Sequence, residues 1–215
     1  MLRHFARYLS YIVGGAFRAP ALRLDQAWWE DDYRRGSLDR IEGEAELSRH
    51  LLVAGLVRHY APGGSILDIG CGTGAVLAPL RACFAGLPSR YVGLDYSKLA
   101  LETAASRARP TVGDAQPPLG SVEFVRGDFD EYQPAERFDA VIFSESLYYA
   151  PDPLRTVQRY VAALNPGGVV VVSMWRRPSR ARVWRVLGSA LHERSRTRIV
   201  APRRPPWDIV VFGQR

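Results

Sequence analysis

The stretch S-I-L-D-I-G-C-G-T-G-A-V-L, residues 65–77, decides the fold of this chain. An apolar run is followed by three glycines at alternate positions, Gly70, Gly72 and Gly74, and then by apolar residues at helical spacing. This order predicts a buried strand, a tight turn and the start of a helix. Glycine reaches positive φ and lets a ligand approach the backbone, and a helix N-terminus presents unpaired N–H groups. The turn is therefore typical of a nucleotide-binding site.

Asp68, two residues before the first glycine, helps to decide which nucleotide this turn binds. In a dinucleotide site the pyrophosphate lies on this helix N-terminus, where a carboxylate would repel it. S-adenosylmethionine instead carries an ammonium and a sulfonium, and a carboxylate attracts both. Asp68 therefore favours S-adenosylmethionine over NAD, and a nicotinamide-dependent reductase is kept only as a distant alternative.

Five motifs occur in a fixed order along the chain. They are L-D-I-G-C-G-T-G at 67–74, Y-V-G-L-D-Y-S at 91–97, V-R-G-D-F at 125–129, F-D-A-V-I-F-S-E-S-L-Y-Y at 138–149 and L-N-P-G-G-V-V-V-V at 164–172. In this order they resemble the class I S-adenosylmethionine-dependent methyltransferases, from about residue 27 to the C-terminus. The glycine turn alone would be a weak signal, whereas the ordered set is specific. The resemblance implies S-adenosylmethionine as the cofactor.

The same resemblance implies a doubly wound, Rossmann-like α/β sheet of seven strands, mostly parallel with an antiparallel last strand, and an N-terminal helical lid. We divide the chain into a helix and lid segment, residues 1–40, and a cofactor-binding methyltransferase domain, residues 41–215. Besides the strand before Gly70, apolar runs predict strands at residues 90–94, 122–126, 138–143, 169–173, 196–200 and 207–212. Amphipathic patterns predict helices at residues 44–60, 98–108 and 182–192, the first with its inward face formed by Leu47, Leu51, Leu52, Leu56 and Val57. Ser97 is predicted to cap the helix at residues 98–108.

Cofactor-binding side chains are expected where the predicted strands end, since an open α/β sheet binds its ligands at the carboxyl ends of its strands. Asp95, at the end of the second strand, is placed to accept both hydrogen bonds of a ribose diol. From the resemblance we expect Asp128 and Phe129 to contact adenine, with a plain turn as the alternative, and Tyr33 to cover the cofactor. The full predicted set of cofactor-binding residues is Tyr33, Asp68, Gly70, Cys71, Gly72, Gly74, Asp95, Tyr96, Asp128, Phe129 and Ser144.

The loop after the fourth predicted strand, residues 144–149, is where the methyl acceptor is expected to meet the cofactor. Methyl transfer from a sulfonium is an in-line displacement that needs the acceptor atom close to the methyl carbon in a dry pocket, and a base helps when the nucleophile is protonated. Glu145 is the candidate base, and Tyr148 is an orienting hydroxyl or a pocket wall. A hydrogen bond from the cofactor to Glu145, or a helix cap, is an equally good interpretation. His50 and His59 are interpreted as surface or capping groups.

The acceptor class is narrowed by motifs that the sequence does not contain. An N-P-P-Y or D-P-P-Y tetrapeptide, typical of adenine or glutamine-amide methylation, does not follow the fourth predicted strand, and a Pro-Cys nucleophile for cytosine chemistry does not occur. No appended RNA-binding module is present. We therefore expect O- or N-methylation of a small molecule. The L-Y-Y sequence loosely resembles nodulation-type N-methyltransferases acting on sugar amines, which suggests a natural-product or glycan precursor.

The charge distribution leaves other partners open. The net charge is +7, with four arginines and no acid in residues 1–24 and eleven arginines against two acids in residues 176–215. Because 28 arginines accompany a single lysine, arginine-rich coding of the surface explains this as well as function does. The first alternative is an RNA or protein methyltransferase that docks through the arginine-rich C-terminal region. The second is a non-catalytic protein that binds the cofactor and acts as a partner of another protein.

The first 24 residues carry Leu2, Phe5, Leu9 and Ile12 at roughly helical spacing. This pattern is too short and too charged to span a bilayer, and it predicts a lid helix, a peripheral membrane helix or a partner-binding segment. Cys71 and Cys83 form neither a metal motif nor a disulfide framework, so we predict no metal and a reducing, cytoplasmic location. The sequence leaves a monomer and a homodimer open.

Overall fold

Seven strands of the described residues form a single sheet. The structure is a computed structural model that describes residues 25–36, 43–82, 88–109, 120–201 and 205–215. The strands are β1 (Ser65–Ile69), β2 (Arg90–Asp95), β3 (Ser121–Arg126), β4 (Phe138–Ser144), β5 (Leu164–Trp175), β6 (His192–Ile199) and β7 (Trp207–Gly213). Their order in the sheet is β3-β2-β1-β4-β5-β7-β6. The strands β1 to β5 are parallel, whereas β7 pairs antiparallel with both β5 and β6, which confirms the predicted fold class.

Helices cover both faces of this sheet. They are α1 (Gln26–Arg34), α2 (Glu44–Tyr60), α3 (Leu77–Ala82), α4 (Lys98–Ala108), α5 (Pro153–Val161) and α6 (Ala181–Ala190). Short polar side chains begin three of them: Asp25 caps α1, Ser97 caps α4 as predicted, and Asp152 caps α5 ahead of Pro153. Two short 3₁₀ turns, Leu147–Tyr149 and Pro178–Arg180, follow β4 and β5.

The core has two layers because the central strands are buried on both faces. Alternate residues of β5 show this: Val170 and Val172 pack in the layer that contains Leu187 of α6, and Val169 and Val171 pack in the other layer. That second layer contains the α2 side chains Val53, Ala54 and Val57. The ends of β4 and β5 therefore lie beneath α2 on one face of the sheet.

The buried face of α2 differs from the predicted one. Leu47 and Leu51 are 46% and 38% exposed, so their assignment to the inward face was wrong. The buried stripe instead consists of Glu46, Arg49, His50, Val53, Ala54 and Val57, which follow one another at helical spacing. Because its first turns lie over the carboxyl edge of the sheet, polar residues of α2 are buried there instead of leucines.

Three other elements begin or end elsewhere than predicted. The strand β5 begins at Leu164, so the N-P-G-G segment belongs to it, with an irregular register between Phe138 and Ala140 of β4. The last helix ends at Ala190 and β6 begins at His192, four residues before the predicted strand. The strand β6 is a polar edge strand rich in arginine, and such a strand lacks the apolar alternation by which strands are recognised.

Several predictions concern residues outside those described. The predicted helix in residues 1–24 and Cys83 are among them, and the division of the chain at residue 40 stays a prediction. Within the ranges that the structure describes, no helix has the length and apolar character needed to cross a membrane.

Candidate active site

The glycine turn between β1 and α3 has the backbone conformation that only glycine adopts easily. The φ angles of Gly70, Gly72 and Gly74 are 72°, 55° and 81°. A Cβ at Gly70 would lie 2.6 Å from the Cβ of Ser146, and a Cβ at Gly72 would lie 2.8 Å from the hydroxyl oxygen of Tyr33. The turn is therefore closely approached from two directions, by the loop after β4 and by α1.

Asp95 lies at the end of β2 and is held by the turn itself. Its Oδ2 accepts a 2.8 Å hydrogen bond from the Gly72 amide, and its Oδ1 accepts one of 2.9 Å from the Ser97 amide. Burial raises the pKa of Asp95, while hydrogen bonds from the Ser97, Gly72 and Tyr96 amides oppose this rise. Tyr96 thus contacts the site through its backbone. The carboxylate is fixed in one orientation, beside the turn, where it can accept from a diol.

Asp68 is completely buried within β1. The hydroxyl of Tyr91 donates a 2.7 Å hydrogen bond to Asp68 Oδ2, whereas Oδ1 has no hydrogen-bond partner among the described residues. Burial raises the pKa of Asp68 to about 7, against the effects of Tyr91 and Arg49. A buried carboxylate with an unpartnered oxygen favours a nearby cation.

Cys71 occupies the turn as a packing residue. Its Sγ would lie 2.8 Å from a Cβ placed at Gly93 of β2, so the thiol fills the space that this glycine leaves. Burial raises the pKa of the Cys71 thiol well above its usual value, so the group remains a thiol. Cys71 can therefore line a cofactor site through its backbone and its shape.

Helix α1 connects the end of β2 with the loop after β4. Glu30 accepts hydrogen bonds from the Ser97 hydroxyl at 3.0 Å, the Lys98 amide at 2.6 Å and the Leu99 amide at 3.3 Å, at the N-terminus of α4. On the same helix, the Trp29 ring meets the Tyr149 ring edge-to-face at 4.8 Å. Tyr33 projects toward Gly72. Sequence reasoning found Tyr33 but missed Glu30, because an exposed-looking glutamate on a short helix carries no signal of its distant partners.

Asp128 and Phe129 follow β3 and lie beside Asp95, because the Gly127 amide donates a 3.0 Å hydrogen bond to the Asp95 carbonyl. Asp128 Oδ1 accepts a hydrogen bond from the Asp130 amide at 2.8 Å, which shapes the turn. The Phe129 carbonyl accepts a 2.7 Å hydrogen bond from the Tyr160 hydroxyl, and its ring packs against the core. Asp128 and the Phe129 ring thus lie at the same edge of the sheet as Asp95, as the sequence predicted.

The loop after β4 bends sharply at Glu145, which has a φ of 60°. A left-handed conformation is uncommon for a residue with a side chain and persists only where its surroundings enforce it. On one side the Glu145 amide donates a 3.0 Å hydrogen bond to the Ser173 carbonyl of β5. On the other, the Ser146 hydroxyl donates one of 2.5 Å to the Ile69 carbonyl at the end of β1. The loop is thereby held next to the glycine turn.

The Glu145 side chain is 16% exposed and has one bound and one unbound oxygen. The Tyr148 hydroxyl donates a 3.1 Å hydrogen bond to Oε2, and Arg180 Nη1 lies 3.7 Å from the same oxygen. Oε1 has no hydrogen-bond partner within the described part of the chain. Burial raises the pKa of Glu145 to about 7, although Arg49, Arg180 and Tyr148 oppose it. A carboxylate with a pKa near neutrality is suited to take up a proton.

Arg180 and Tyr148 form one side of this loop. The guanidinium carbon lies 3.5 Å from the centre of the Tyr148 ring, and Nη1 donates a 3.2 Å hydrogen bond to the Trp175 carbonyl. The Tyr148 and Tyr149 rings lie 4.5 Å apart. The cation–π contact holds the Tyr148 ring in place beside Glu145. Sequence reasoning found Tyr148 and missed Arg180, which is one of many arginines in its region.

A buried polar cluster on α2 approaches the loop from the other side. Arg49 donates from Nε to Glu46 Oε2 at 3.0 Å and from Nη1 to Ser144 Oγ at 2.5 Å, and its Nη2 lies 2.7 Å from His50 Nε2. Because an arginine only donates, His50 Nε2 accepts, and the ring proton is on Nδ1. His50 is 5% exposed, so its interpretation as a surface or capping group was wrong, whereas His59 is exposed as predicted.

These features fit S-adenosylmethionine. The glycine turn has a backbone that only glycine adopts easily, and two largely buried carboxylates on the adjacent strand and loop, Asp68 and Glu145, each have an oxygen with no hydrogen-bond partner among the described residues. A ligand with an ammonium and a sulfonium complements such a site electrostatically. Among the described residues, no group of three or more His, Cys, Asp or Glu side chains is arranged to hold a metal ion.

Comparison with curated proteins identifies methyltransferases as relatives of this chain. The chain is 28% identical over 178 residues to the ubiquinone biosynthesis O-methyltransferase of Methylocella silvestris, covering 78% of this chain and 66% of that protein. It is 33% identical over 146 residues to the dTDP-4-amino-2,3,4,6-tetradeoxy-D-glucose N,N-dimethyltransferase of Saccharopolyspora spinosa, covering 67% and 54% respectively. The chain thus spans about half to two thirds of the length of these relatives.

Solved structures with the same fold include two methyltransferases. The N-methyltransferase NodS of Bradyrhizobium japonicum matches with a TM-score of 0.64 at 23% identity, covering 81% of this chain and 99% of that one. The magnesium protoporphyrin IX methyltransferase of Synechocystis, with bound S-adenosylmethionine, matches with a TM-score of 0.66 at 16% identity, covering 91% and 100%. Residues 42–202 match the family described as "Methyltransferase domain". Since this match covers most of the sequence and its motifs form the site described above, the chain belongs to the methyltransferase domain family.

Proposed function

We propose that this chain is an S-adenosylmethionine-dependent methyltransferase that methylates an oxygen or nitrogen atom of a small molecule, such as a natural-product or glycan precursor. The observation that carries the proposal is the position of Glu145. The strained backbone and the Ser146–Ile69 hydrogen bond hold the loop that carries this carboxylate next to the glycine turn, and its Oε1 has no hydrogen-bond partner among the described residues. The curated relatives named above, an O-methyltransferase and an amino-sugar N,N-dimethyltransferase, support a small-molecule acceptor.

In this proposal the cofactor is held by residues from three strand ends. Asp95 accepts hydrogen bonds from the ribose, Asp128 and Phe129 contact the adenine, and Asp68 attracts the positive charge of the methionine end. The glycines allow the ligand to approach the backbone, and Tyr33 of α1 covers it. When bound, S-adenosylmethionine supplies an electrophilic methyl group on a positively charged sulfur.

The proposed chemical step depends on the loop after β4. Glu145 Oε1 accepts the proton of the acceptor O–H or N–H as the acceptor lone pair forms a bond to the methyl carbon. The bound cofactor would supply this methyl group, and its sulfur would keep the electron pair of the carbon–sulfur bond. Tyr148 and Arg180 hold Glu145 Oε2 and keep the carboxylate oriented. A pKa of about 7 leaves Glu145 partly ionised near neutrality, as a base requires.

A nucleic-acid or protein acceptor, docked through the C-terminal arginines, is the alternative. Several of those arginines have partners in the structure, two of them on β6: Arg196 pairs with Glu193 at 2.5 Å, and Arg198 pairs with Asp208 at 2.7 Å. Such pairing favours a structural role for these side chains in β6. Arg182 and Arg185 on α6 are exposed and are among the arginines that an anionic partner could reach.

Transfer of radiolabel from S-adenosylmethionine tests the proposed function. The purified protein is incubated with labelled cofactor and, separately, with the metabolite, RNA and protein fractions of its source cell. We expect label in the metabolite fraction, and we expect Glu145→Gln to reduce it while S-adenosylhomocysteine still binds. Label in RNA or protein would favour docking through the arginines. Absence of label, together with measurable cofactor binding, would favour the non-catalytic partner.

A further inference from the structure

Arg49 of α2 reaches the end of β4 with its side chain, and its charge acts on Asp68 of β1. It is 2% exposed, and its hydrogen bond to Ser144 Oγ is made at the residue directly before Glu145. Its pairing with Glu46 fixes the side chain along the helix at a distance of 3.0 Å. The guanidinium is thus held by Glu46 of its own helix and donates a hydrogen bond to Ser144, directly before Glu145.

The charge of Arg49 acts on two carboxylates. It lowers the pKa of Asp68, in the proposed cofactor site, and that of Glu145, in the proposed acceptor site. Glu46, the partner of Arg49, raises the pKa of Glu145. One buried guanidinium is therefore paired with Glu46 and acts on two further carboxylates, Asp68 and Glu145, each with an oxygen that has no hydrogen-bond partner among the described residues. Arg180 also lies near Glu145.

We infer that Arg49 is a positioning residue of the active site, which holds the Ser144–Glu145 segment in place and supplies a positive charge that favours the ionised forms of Asp68 and Glu145. Its role in catalysis rests on the proposed function, since it acts through Glu145. The electrostatic effect of Arg49 on Asp68 and Glu145 does not depend on the proposed function. A charge removed from a buried network leaves its partners uncompensated, so the network responds as a unit.

The titration of Asp68 and Glu145 in the cofactor-free protein tests this inference. The protein is labelled with ¹³C at the Asp and Glu side-chain carboxyls, and the carboxyl signals are followed by NMR as the pH changes. Glu145→Gln and Asp68→Asn assign the two signals. The test variants are Arg49→Met, Arg49→Lys and Glu46→Gln, and the control is Arg155→Met, an exposed arginine of α5.

Arg49→Met is expected to raise both titration midpoints by about one unit or more, since it removes a nearby opposite charge. Arg49→Lys retains the charge, so its midpoints are expected to lie at least halfway back from the Arg49→Met values to the wild-type values. Glu46→Gln is expected to move the Glu145 midpoint down, and this opposite sign distinguishes electrostatic control from loss of packing. Arg155→Met should move neither midpoint.

Unchanged midpoints in folded Arg49→Met would overturn the inference, whatever its thermal stability. If that variant does not fold, the inference depends on Glu46→Gln, and a Glu145 midpoint that stays or rises would overturn it. The titration needs neither acceptor nor turnover, so its failure is distinct from failure of the proposed function. Once radiolabel has identified an acceptor, the acid limb of the kcat/KM profile should shift with the Glu145 midpoint. A shifted midpoint without a shifted profile would refute the catalytic role of Glu145 alone.

Discussion

The Gly72 amide donates a 2.8 Å hydrogen bond to Asp95 Oδ2, so the glycine turn is tied to the end of β2. The contact continues outward, because the other oxygen of Asp95 accepts from the Ser97 amide and the Ser97 hydroxyl donates to Glu30. One carboxylate therefore connects the turn, the N-terminus of α4 and helix α1. A ligand that hydrogen-bonds to Asp95 would therefore be linked through this side chain to all three elements.

Replacing Asp95 with alanine should weaken S-adenosylhomocysteine binding about tenfold or more, the loss expected for a charge-assisted pair of hydrogen bonds. Isothermal titration calorimetry measures this directly. The matched control is Glu102→Ala, which removes an exposed carboxylate from α4 and should leave the affinity unchanged. Undiminished affinity in folded Asp95→Ala would show that the ribose is held elsewhere.

Gly72→Ala should destabilise the protein, because φ at this position is 55° and the new Cβ would lie 2.8 Å from the Tyr33 hydroxyl oxygen. The left-handed backbone alone should cost on the order of 1–3 kcal/mol. Combining Gly72→Ala with Tyr33→Phe removes the clash but not the backbone strain, so part of the loss should be recovered. Denaturant unfolding of the two single variants and the double variant measures the coupling. If the effects of the two single substitutions on the free energy of unfolding simply add in the double variant, the Tyr33 hydroxyl does not clash with the new Cβ.

The stability of the protein should fall with rising pH because of Glu145. Its pKa is about 7 in the folded chain and 4.5 as a free group, so ionisation is penalised only in the folded state. The penalty is absent below the unfolded value, grows as pH rises and is complete above the folded value, where it amounts to up to about 3 kcal/mol. Glu145→Gln should therefore gain stability relative to the wild type between about pH 5 and about pH 8.5.

Urea unfolding of both proteins across this range checks the expectation. Asp68 titrates in the same region but is present in both proteins, so the difference between the two curves isolates Glu145. For Glu102→Gln, at an exposed glutamate, the curve of stability against pH should run parallel to that of the wild type. A Glu145→Gln curve that also stays parallel would mean that the carboxylate is not penalised in the folded chain.

Glu30→Ala should loosen the contact between α1 and α4. Burial by itself would raise the pKa of Glu30, but the hydrogen bonds from Lys98, Ser97 and Leu99 outweigh it and hold the pKa below its usual range. Losing this cap should cost about 1 kcal/mol and should speed hydrogen exchange at the Lys98 and Leu99 amides. Asp32→Ala, on the same helix, is the control. Unaltered exchange in Glu30→Ala would show that α4 does not depend on α1.

Sequence reasoning recovered the parts of the site that are local in the chain. The glycine turn, Asp95 at the end of β2 and the Ser97 cap are each encoded by a few adjacent residues, and the parallel strands follow from apolar runs. The N-cap and the turn need little beyond backbone geometry. Short stretches of sequence are therefore enough to predict these features.

The residues that it missed act over long distances. Arg49 reaches a serine 95 positions away, and Glu30 reaches an amide 68 positions away. In a single sequence, Glu46 and Arg49 have the composition of an exposed helix face, and only the fold reveals that this face lies over the carboxyl edge of the sheet. The exposure of Leu47 and Leu51 has the same origin, because hydrophobicity alone assigned the inward face. Buried polar networks depend on tertiary contacts that periodicity does not report.

Tyr148→Phe separates the hydroxyl of this residue from its ring. The ring stacks under Arg180 at 3.5 Å and should remain there, while Glu145 Oε2 loses its 3.1 Å hydrogen bond. Because this bond stabilises the ionised carboxylate, its removal should raise the Glu145 titration midpoint by about half a unit or more. The ¹³C carboxyl signal of Glu145 reports the change, and Tyr132→Phe, a partly buried tyrosine whose electrostatic partners are Glu123, Arg90 and Glu136, is the control. A midpoint that does not move would assign Tyr148 to the pocket wall and leave the orientation of Glu145 to Arg180 and Arg49.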